Sequence, residues 1–326
     1  PCVAFSKDGG ATFTTGRVVF ESPGAGAGNR PYLKAACRDG ETIHLAFTTG
    51  HPRNEPRNSV HYASFDGETF RRADGTVIGT LDDLPLDPAR CDLVYDASIT
   101  NERAWIWDIA ADSNGDPVIA YTRLPDETRH VYHYAVWSDG AWRDARIVDA
   151  GAWFPATPSG QVEREPHYSA GVVLDHDDPR AVYLSRPIGG VFEIERWMTT
   201  DHGASWTHHA ITRDSDVDNV RPVAVRSASH DGPHVVWMRL DFGYEHYTRY
   251  RTSLRMDVPE PTERAVPMTA HAILAQMERV GRWQIEHPSS HALTDWTHGA
   301  LYAGMMALVR QSDDPRFAEA MLEVGR

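Results

Sequence analysis

Up to about residue 258 the chain consists of short runs in which apolar and polar positions alternate, the period of a half-buried β-strand. Each run is closed by Gly, Asp, Asn or Pro. Residues 42–47, 117–121, 181–185 and 234–238 are clear cases, and stretches such as 22–28 and 82–88 read as loops between them. After the Pro-rich Val258-Pro259-Glu260-Pro261 linker the period changes. Residues 270–280, 299–309 and 315–324 place apolar side chains at helical spacing with almost no strand signal. Pro315 behind Asp313-Asp314 suits a capped helix start. The pattern therefore predicts two domains, an all-β part over 1–257 and a linker with helices over 258–326. Three helices of this length bury too little surface to stand alone, so the second part is expected to be the start of a larger helical domain.

One turn occurs twice. Ser6-Lys7-Asp8-Gly9-Gly10-Ala11-Thr12-Phe13 and Thr199-Thr200-Asp201-His202-Gly203-Ala204-Ser205-Trp206 both read Ser/Thr-x-Asp-x-Gly-x-Ser/Thr-Phe/Trp. That spacing suits a hairpin turn whose Asp accepts backbone N–H bonds, whose Gly takes a positive φ and whose aromatic fills a gap between sheets. Looser versions end at Phe70 and Trp142, so the turn aromatics recur roughly every 55 to 75 residues, as a repeated sheet would require. The pattern resembles the Asp box of sialidase-like β-propellers. It implies a mainly β fold, a partial propeller of about four to five blades followed by a helical fragment. Too little chain precedes the first box to form its leading strand, so the N-terminus is expected to be cut and any leader lost with it.

Longer strings carry a second resemblance. Arg30-Pro31-Tyr32-Leu33-Lys34, Ala46-Phe47-Thr48-Thr49-Gly50-His51-Pro52-Arg53, Ala104-Trp105-Ile106-Trp107-Asp108-Ile109-Ala110, the run from His167-Tyr168 to Asp175-His176, and Asn219-Val220-Arg221-Pro222-Val223 are similar to BNR-4 type propellers. That family includes lyases of ulvan and of rhamnose–glucuronate polymers. In the helical part, Trp283-Gln284-Ile285 and the string from Thr294-Asp295-Trp296 to Leu308 resemble the opening helices of unsaturated uronyl hydrolases with an (α/α)6 toroid. The two resemblances fit chemically, because the lyase leaves a 4,5-unsaturated uronyl end that such a hydrolase removes. The implied location is extracellular or periplasmic in a bacterium, and the implied state is a monomer.

Composition narrows this little. The 326 residues contain no stretch of about 20 consecutive apolar positions, which argues against a membrane span. A net charge of −14 with no basic run argues against nucleic acid as a partner and leaves room for a local basic pocket. Cys2, Cys37 and Cys91 are too few and too scattered for a disulfide framework or zinc motif, and read as ordinary thiols.

Elimination across C4–C5 of a uronate needs the C6 carboxylate neutralised, a base for the C5 proton and an acid for the departing O4. Arginine suits the first role because it grips a carboxylate bidentately and stays charged, while His and Tyr suit the others. Arg30, His51, His167, Tyr168, Arg186 and Arg221 are the candidates for substrate binding, with His51, His167 and Tyr168 the candidates for proton transfer. Arg53 reads as a solvated loop cation. In the resembled lyases the principal base and acid come largely from earlier blades, which implies that this stretch supplies the substrate-binding side of the cleft. Relatives hold a structural Ca²⁺ or Zn²⁺, but Asp175-His176-Asp177-Asp178 reads as a strand-end turn and Asp214 to Asn219 lacks the Gly and distal Glu of an EF-hand, so no metal ligand is assigned. Asp295 reads as a helix cap. Two other readings remain open: an exo-sialidase, with Arg30, Arg186 and Arg221 on one carboxylate and no evident Tyr–Glu pair, and a non-catalytic glycan-binding propeller.

Overall fold

The computed structural model describes residues 1–21, 30–152, 154, 171–226, 232–241, 251–257, 270–288 and 296–324. The chain divides into two compact units, Pro1–Glu260 and Pro261–Arg326. The first opens with a two-stranded ribbon, β1 (Cys2–Val3) and β2 (Arg17–Val18), followed by four antiparallel sheets in chain order. The first sheet runs β3 (Leu33–Ala36), β4 (Ile43–Thr48), β5 (Val60–Phe65), β6 (Thr69–Arg71) and β7 (Val77–Thr80), with β8 (Asp92–Tyr95) also pairing with β5. The second is β9 (Arg103–Ala111), β10 (Pro117–Asp126), β11 (Arg129–Ser138) and β12 (Ala141–Gly151). The third is β13 (Val172–Leu174), β14 (Ala181–Ile188), β15 (Val191–Met198) and β16 (Thr207–Ala210). The fourth is β17 (Asn219–Ala224), β18 (Val235–Arg239) and β19 (Ser253–Met256).

The sheets pack face on face, and each core layer draws on two neighbours. Val60, Tyr62 and Tyr95 of the first sheet meet Ile106, Ile119 and Tyr121 of the second. Val118, Tyr132 and Tyr134 of the second meet Leu174, Val182 and Leu184 of the third. The first strands β3, β9, β13 and β17 lie side by side in that order. This is the order of the inner strands of successive propeller blades.

Both Asp boxes form as the spacing predicts. Asp8 accepts the Thr12 amide at 2.9 Å and the Thr12 hydroxyl at 2.6 Å, while the Gly10 amide donates to Ser6 Oγ at 2.7 Å. Asp201 repeats this with the Ser205 amide at 2.8 Å and hydroxyl at 2.5 Å, and the Gly203 amide donates to Thr199 Oγ1 at 2.8 Å. These donors, the hydroxyl first, hold both carboxyls down at about 2. All four turns join the third strand of a sheet, or its counterpart in the ribbon, to the next strand. Trp206 packs edge-on against Tyr134 of the preceding sheet, with centroids 5.3 Å apart, and Trp142 does the same with Tyr62 at 5.3 Å. Phe13 differs from its expected role: it is 65% exposed and fills no gap among the described residues.

In the helical unit the helices are Ala270–Glu286, Trp296–Val309 and Pro315–Val324, the first running six residues past its predicted end. They close on Met305, Leu308 and Phe317, and Gly281 sits so tight that a Cβ there would lie 2.7 Å from Leu308 and 2.8 Å from Phe317. Asp314 caps the third helix by accepting the Arg316 amide at 3.2 Å. Asp295 lies outside the described residues. All three cysteines are free thiols. No helix among the described residues is long and apolar enough to cross a membrane.

Two predictions follow from this packing. Gly10 and Gly203 hold the same box position with φ of 96° and 89°, but a Cβ on Gly10 meets open space while one on Gly203 lies 2.7 Å from Ala145 Cβ. Gly10→Ala should therefore cost about 1 kcal/mol for the left-handed backbone alone, and Gly203→Ala a further ~1–3 kcal/mol for overpacking, as urea midpoints will show. The second concerns acid. Burial lowers His61 from 6.5 to about 4, and burial with the nearby Arg123 and Arg146 lowers His133 to about 3. His133 stays neutral although Asp144 lies 3.2 Å away, because burial disfavours the imidazolium and Arg123, which pairs with the same carboxylate, opposes a second positive charge. Both folded values lie below the unfolded one, so the unfolded chain binds more protons and stability drops as pH falls from 6.5 towards about 4.5, above the main carboxylate range. Denaturation midpoints should show this slope, and His133→Gln should flatten it.

Candidate functional site

Because the strands in each sheet are antiparallel, the turns between second and third strands and the crossings between sheets fall at one end, and the Asp boxes at the other. At the crossing end a pocket of about 270 Å³ is lined by Tyr32, Leu33 and Lys34 at β3, Trp105, Ile106 and Trp107 on β9, and Arg221 on β17. Among the described residues no acidic side chain lines this pocket, while Lys34 and Arg221 both do. Such a site favours an anion, and its aromatic faces suit the apolar face of a sugar ring.

Local irregularities bring these side chains in. On β9 the pairing with β10 steps from Ile106↔Tyr121 to Asp108↔Ala120, so Trp107 is the extra residue of a β-bulge. On β17 the pairing steps from Val220↔Met238 to Val223↔Val236, and Arg221 in that bulge has φ of 54°. A left-handed backbone at arginine costs about 1 kcal/mol or more, a cost typical of functional positions.

His51 stands beside the pocket. Its ring meets Tyr32 edge-on at 5.4 Å and Trp105 at 5.1 Å. The turn that carries it is anchored by buried Asn58: Asn58 Oδ1 accepts the Gly50 amide at 2.7 Å, and its Nδ2 donates to the Ala104 carbonyl at 2.6 Å. Arg103 Nη1 adds a bond to the Pro52 carbonyl at 3.1 Å. Burial, and then Arg53, lower the His51 pKa, so the ring is neutral at neutral pH. Its Nδ1 accepts the Arg53 amide at 3.1 Å, which puts the ring proton on Nε2. In this tautomer His51 is a hydrogen-bond donor, and the lone pair that a general base would use is occupied.

The other candidates separate. Arg30 is exposed at the entry to β3 and Arg53 is exposed on the His51 turn, neither lining the pocket. Arg186 is gripped bidentately by Glu195 at 2.7 and 3.0 Å, and Trp197 Nε1 donates to the same carboxylate at 2.8 Å. Glu195 is 2% exposed and Arg186 partly buried, so the ion pair lies within the third sheet and commits the guanidinium there. His167 and Tyr168 lie outside the described residues. The acidic clusters do not fit a metal. Asp175 accepts the amides of Asp177 and Asp178 in a turn, and His176 bonds Asp108 at 3.1 Å. Asp216 pairs with Arg239 at 2.6 Å and Asp218 accepts the Phe192 amide at 2.9 Å. Among the described residues no group of three His, Cys, Asp or Glu is gathered for a metal ion. Tyr32, Lys34, Trp105, Trp107 and Asn58 carry no role in the sequence reading, although two tryptophans two apart on one strand were a usable signal.

Residues 7–150 match a BNR repeat-containing family member. Among solved structures, the ulvan lyase of polysaccharide lyase family PL25 bound to GlcA(1-4)Rha3S is 12% identical, with 79% of this chain covering 58% of that one at a TM-score of 0.58. The PL25 ulvan lyase in a second structure gives the same identity and coverage at 0.57. A Hadza microbial sialidase is 13% identical over 74% of this chain and 47% of its own, with a TM-score of 0.42. No curated protein matches the sequence. The chain thus has a BNR-type propeller fold resembling that of the ulvan lyase, and spans 58% of that lyase's length.

The strain at Arg221 gives a prediction. Arg221→Gly and Arg221→Ala both remove the guanidinium, but only glycine takes the observed φ without penalty. The glycine variant should be the more stable by about 1 kcal/mol, measured by thermal or urea unfolding.

Proposed function

We propose that this chain is the substrate-binding side of a polysaccharide lyase that cleaves a uronic-acid-containing polymer, ulvan-like or rhamnose–glucuronate, by β-elimination. The observation that carries the reading is the convergence of Arg221 and Lys34 with Tyr32, Trp105 and Trp107 in one pocket, with no carboxylate among the described residues that line it, at the crossing end of the inner strands. Arg221 and Lys34 would meet the C6 carboxylate and so acidify the C5 proton, while the aromatic walls hold the ring. His51, donating from Nε2, would bind a sugar oxygen rather than take the C5 proton. The proton-transfer roles that this chain supplies fall to His167 and Tyr168. The helical unit is the opening part of an unsaturated uronyl hydrolase in this reading, acting on the lyase product. A polymer too large to enter a cell puts the protein outside the cytoplasm, and a monomer suffices for the chemistry. The sialidase reading loses ground because Glu195 holds Arg186 away from any triad with Arg30 and Arg221.

The test uses the full-length protein with ulvan, a rhamnose–glucuronate polymer and a fluorogenic sialoside. The expected result is a rise in ultraviolet absorbance from the unsaturated product and no release from the sialoside. Arg221→Ala and Trp105→Ala should each weaken polymer binding about tenfold without lowering the melting temperature below that of a folded protein. Retention without turnover would indicate a binding module, fluorophore release a sialidase, and unchanged affinity in both variants would remove the pocket from the reading.

A further inference from the structure

The geometry points to Thr122 and His130 as positioning residues that set the plane of Trp107, a role resting on the reading that the pocket binds an acidic sugar chain. Trp107, as the extra residue of the β9 bulge, has no cross-strand partner to fix its direction. Two contacts of the indole, one of them backed by His130, supply that direction instead. Its Nε1–H donates to Thr122 Oγ1 at 2.7 Å, and the same hydroxyl lies 2.9 Å from His130 Nε2. Thr122 and His130 are 1% and 2% exposed, so water does not compete for these bonds. On another side the indole lies against Gly171, where a Cβ would come within 3.1 Å of its Cζ3. Thr122 sits on β10 opposite Trp105, so one residue supports the strand at both tryptophans of the pocket.

A buried polar chain of this kind adds little net stability over apolar groups of the same shape, whereas it fixes one rotamer of the ring it holds. A stacking wall for a sugar needs that fixed plane, because a ring free to swing loses binding energy to ordering. Thr122 and His130 therefore act through Trp107 and touch no substrate themselves.

The experiment compares Thr122→Val, Thr122→Ser and His130→Phe, each also in a Trp107→Phe background, by near-ultraviolet circular dichroism without ligand and by affinity for a rhamnose–glucuronate polymer. Thr122→Val should change the Trp107 signal and weaken binding about fivefold to tenfold, with Thr122→Ser restoring both. In the Trp107→Phe background the Thr122→Val effect on both readouts should vanish. His130→Phe should follow Thr122→Val. An unaltered Trp107 signal in Thr122→Val, or an equal binding loss that persists in the Trp107→Phe background, would overturn the positioning role. If the wild-type protein binds no acidic polymer while Thr122→Val still shifts the Trp107 signal, the glycan reading fails and the support of the indole stands.

Discussion

Burial between consecutive sheets is the constraint on which the rest of the first unit depends. The first sheet is covered by the second on one face and by Val19 and Phe20 on the other, and the second lies between the first and third, so their middle strands cannot expose one face: all six residues of β5 are buried, as are the first six of β10. The sheets are therefore held in sequence by apolar layers such as Tyr62 with Ile119 and Tyr134 with Leu174, and the inner strands are brought side by side without strand pairing from one sheet to the next. The Asp-box aromatics extend the same layers to the periphery, where Trp142 and Trp206 each reach back to a tyrosine of the sheet before.

This constraint leaves an inner strand little freedom to serve a ligand, because regular alternation commits its side chains to the two packed faces. A bulge breaks the alternation at one residue. The chain uses it at Trp107 and again at Arg221, and both side chains enter one pocket. The second also accepts a left-handed backbone without glycine, a cost of the kind that functional positions carry.

What was legible in the sequence follows from the range of the interactions. The hydrogen bonds of the Asp boxes were legible because each spans four residues or fewer, from Asp201 to Ser205 or from Ser6 to Gly10, whereas the packing of the box aromatic, with Phe13 exposed, was not. The helices were legible from their period, and the strands from their punctuation, though β10 and β14 run on past the expected ends into positions fixed by pairing. The site was legible only in part. Arg221 and His51 stood out as residue types at loop ends, but Arg186 stood out equally and is consumed by Glu195, a partner set by the β14–β15 register. Asn58 shows the limit from the other side: its bonds to Gly50 and Ala104 join two sheets, and no local pattern marks it.

The division of chemistry in the pocket follows from the same anchoring. Asn58 fixes the turn, the turn presents the Arg53 amide to His51 Nδ1, and that bond settles that the ring proton sits on Nε2. Burial keeps the imidazole neutral, so it neither adds a third charge beside Lys34 and Arg221 nor offers a base. In the proposed reading a site built this way binds and polarises an anion, and the group that removes a proton comes from another segment. In a fold of successive sheets around common inner strands, such a group need only be carried to the crossing end by a different connection, which is how one pocket can combine rigid binding strands with catalytic residues from distant parts of a chain.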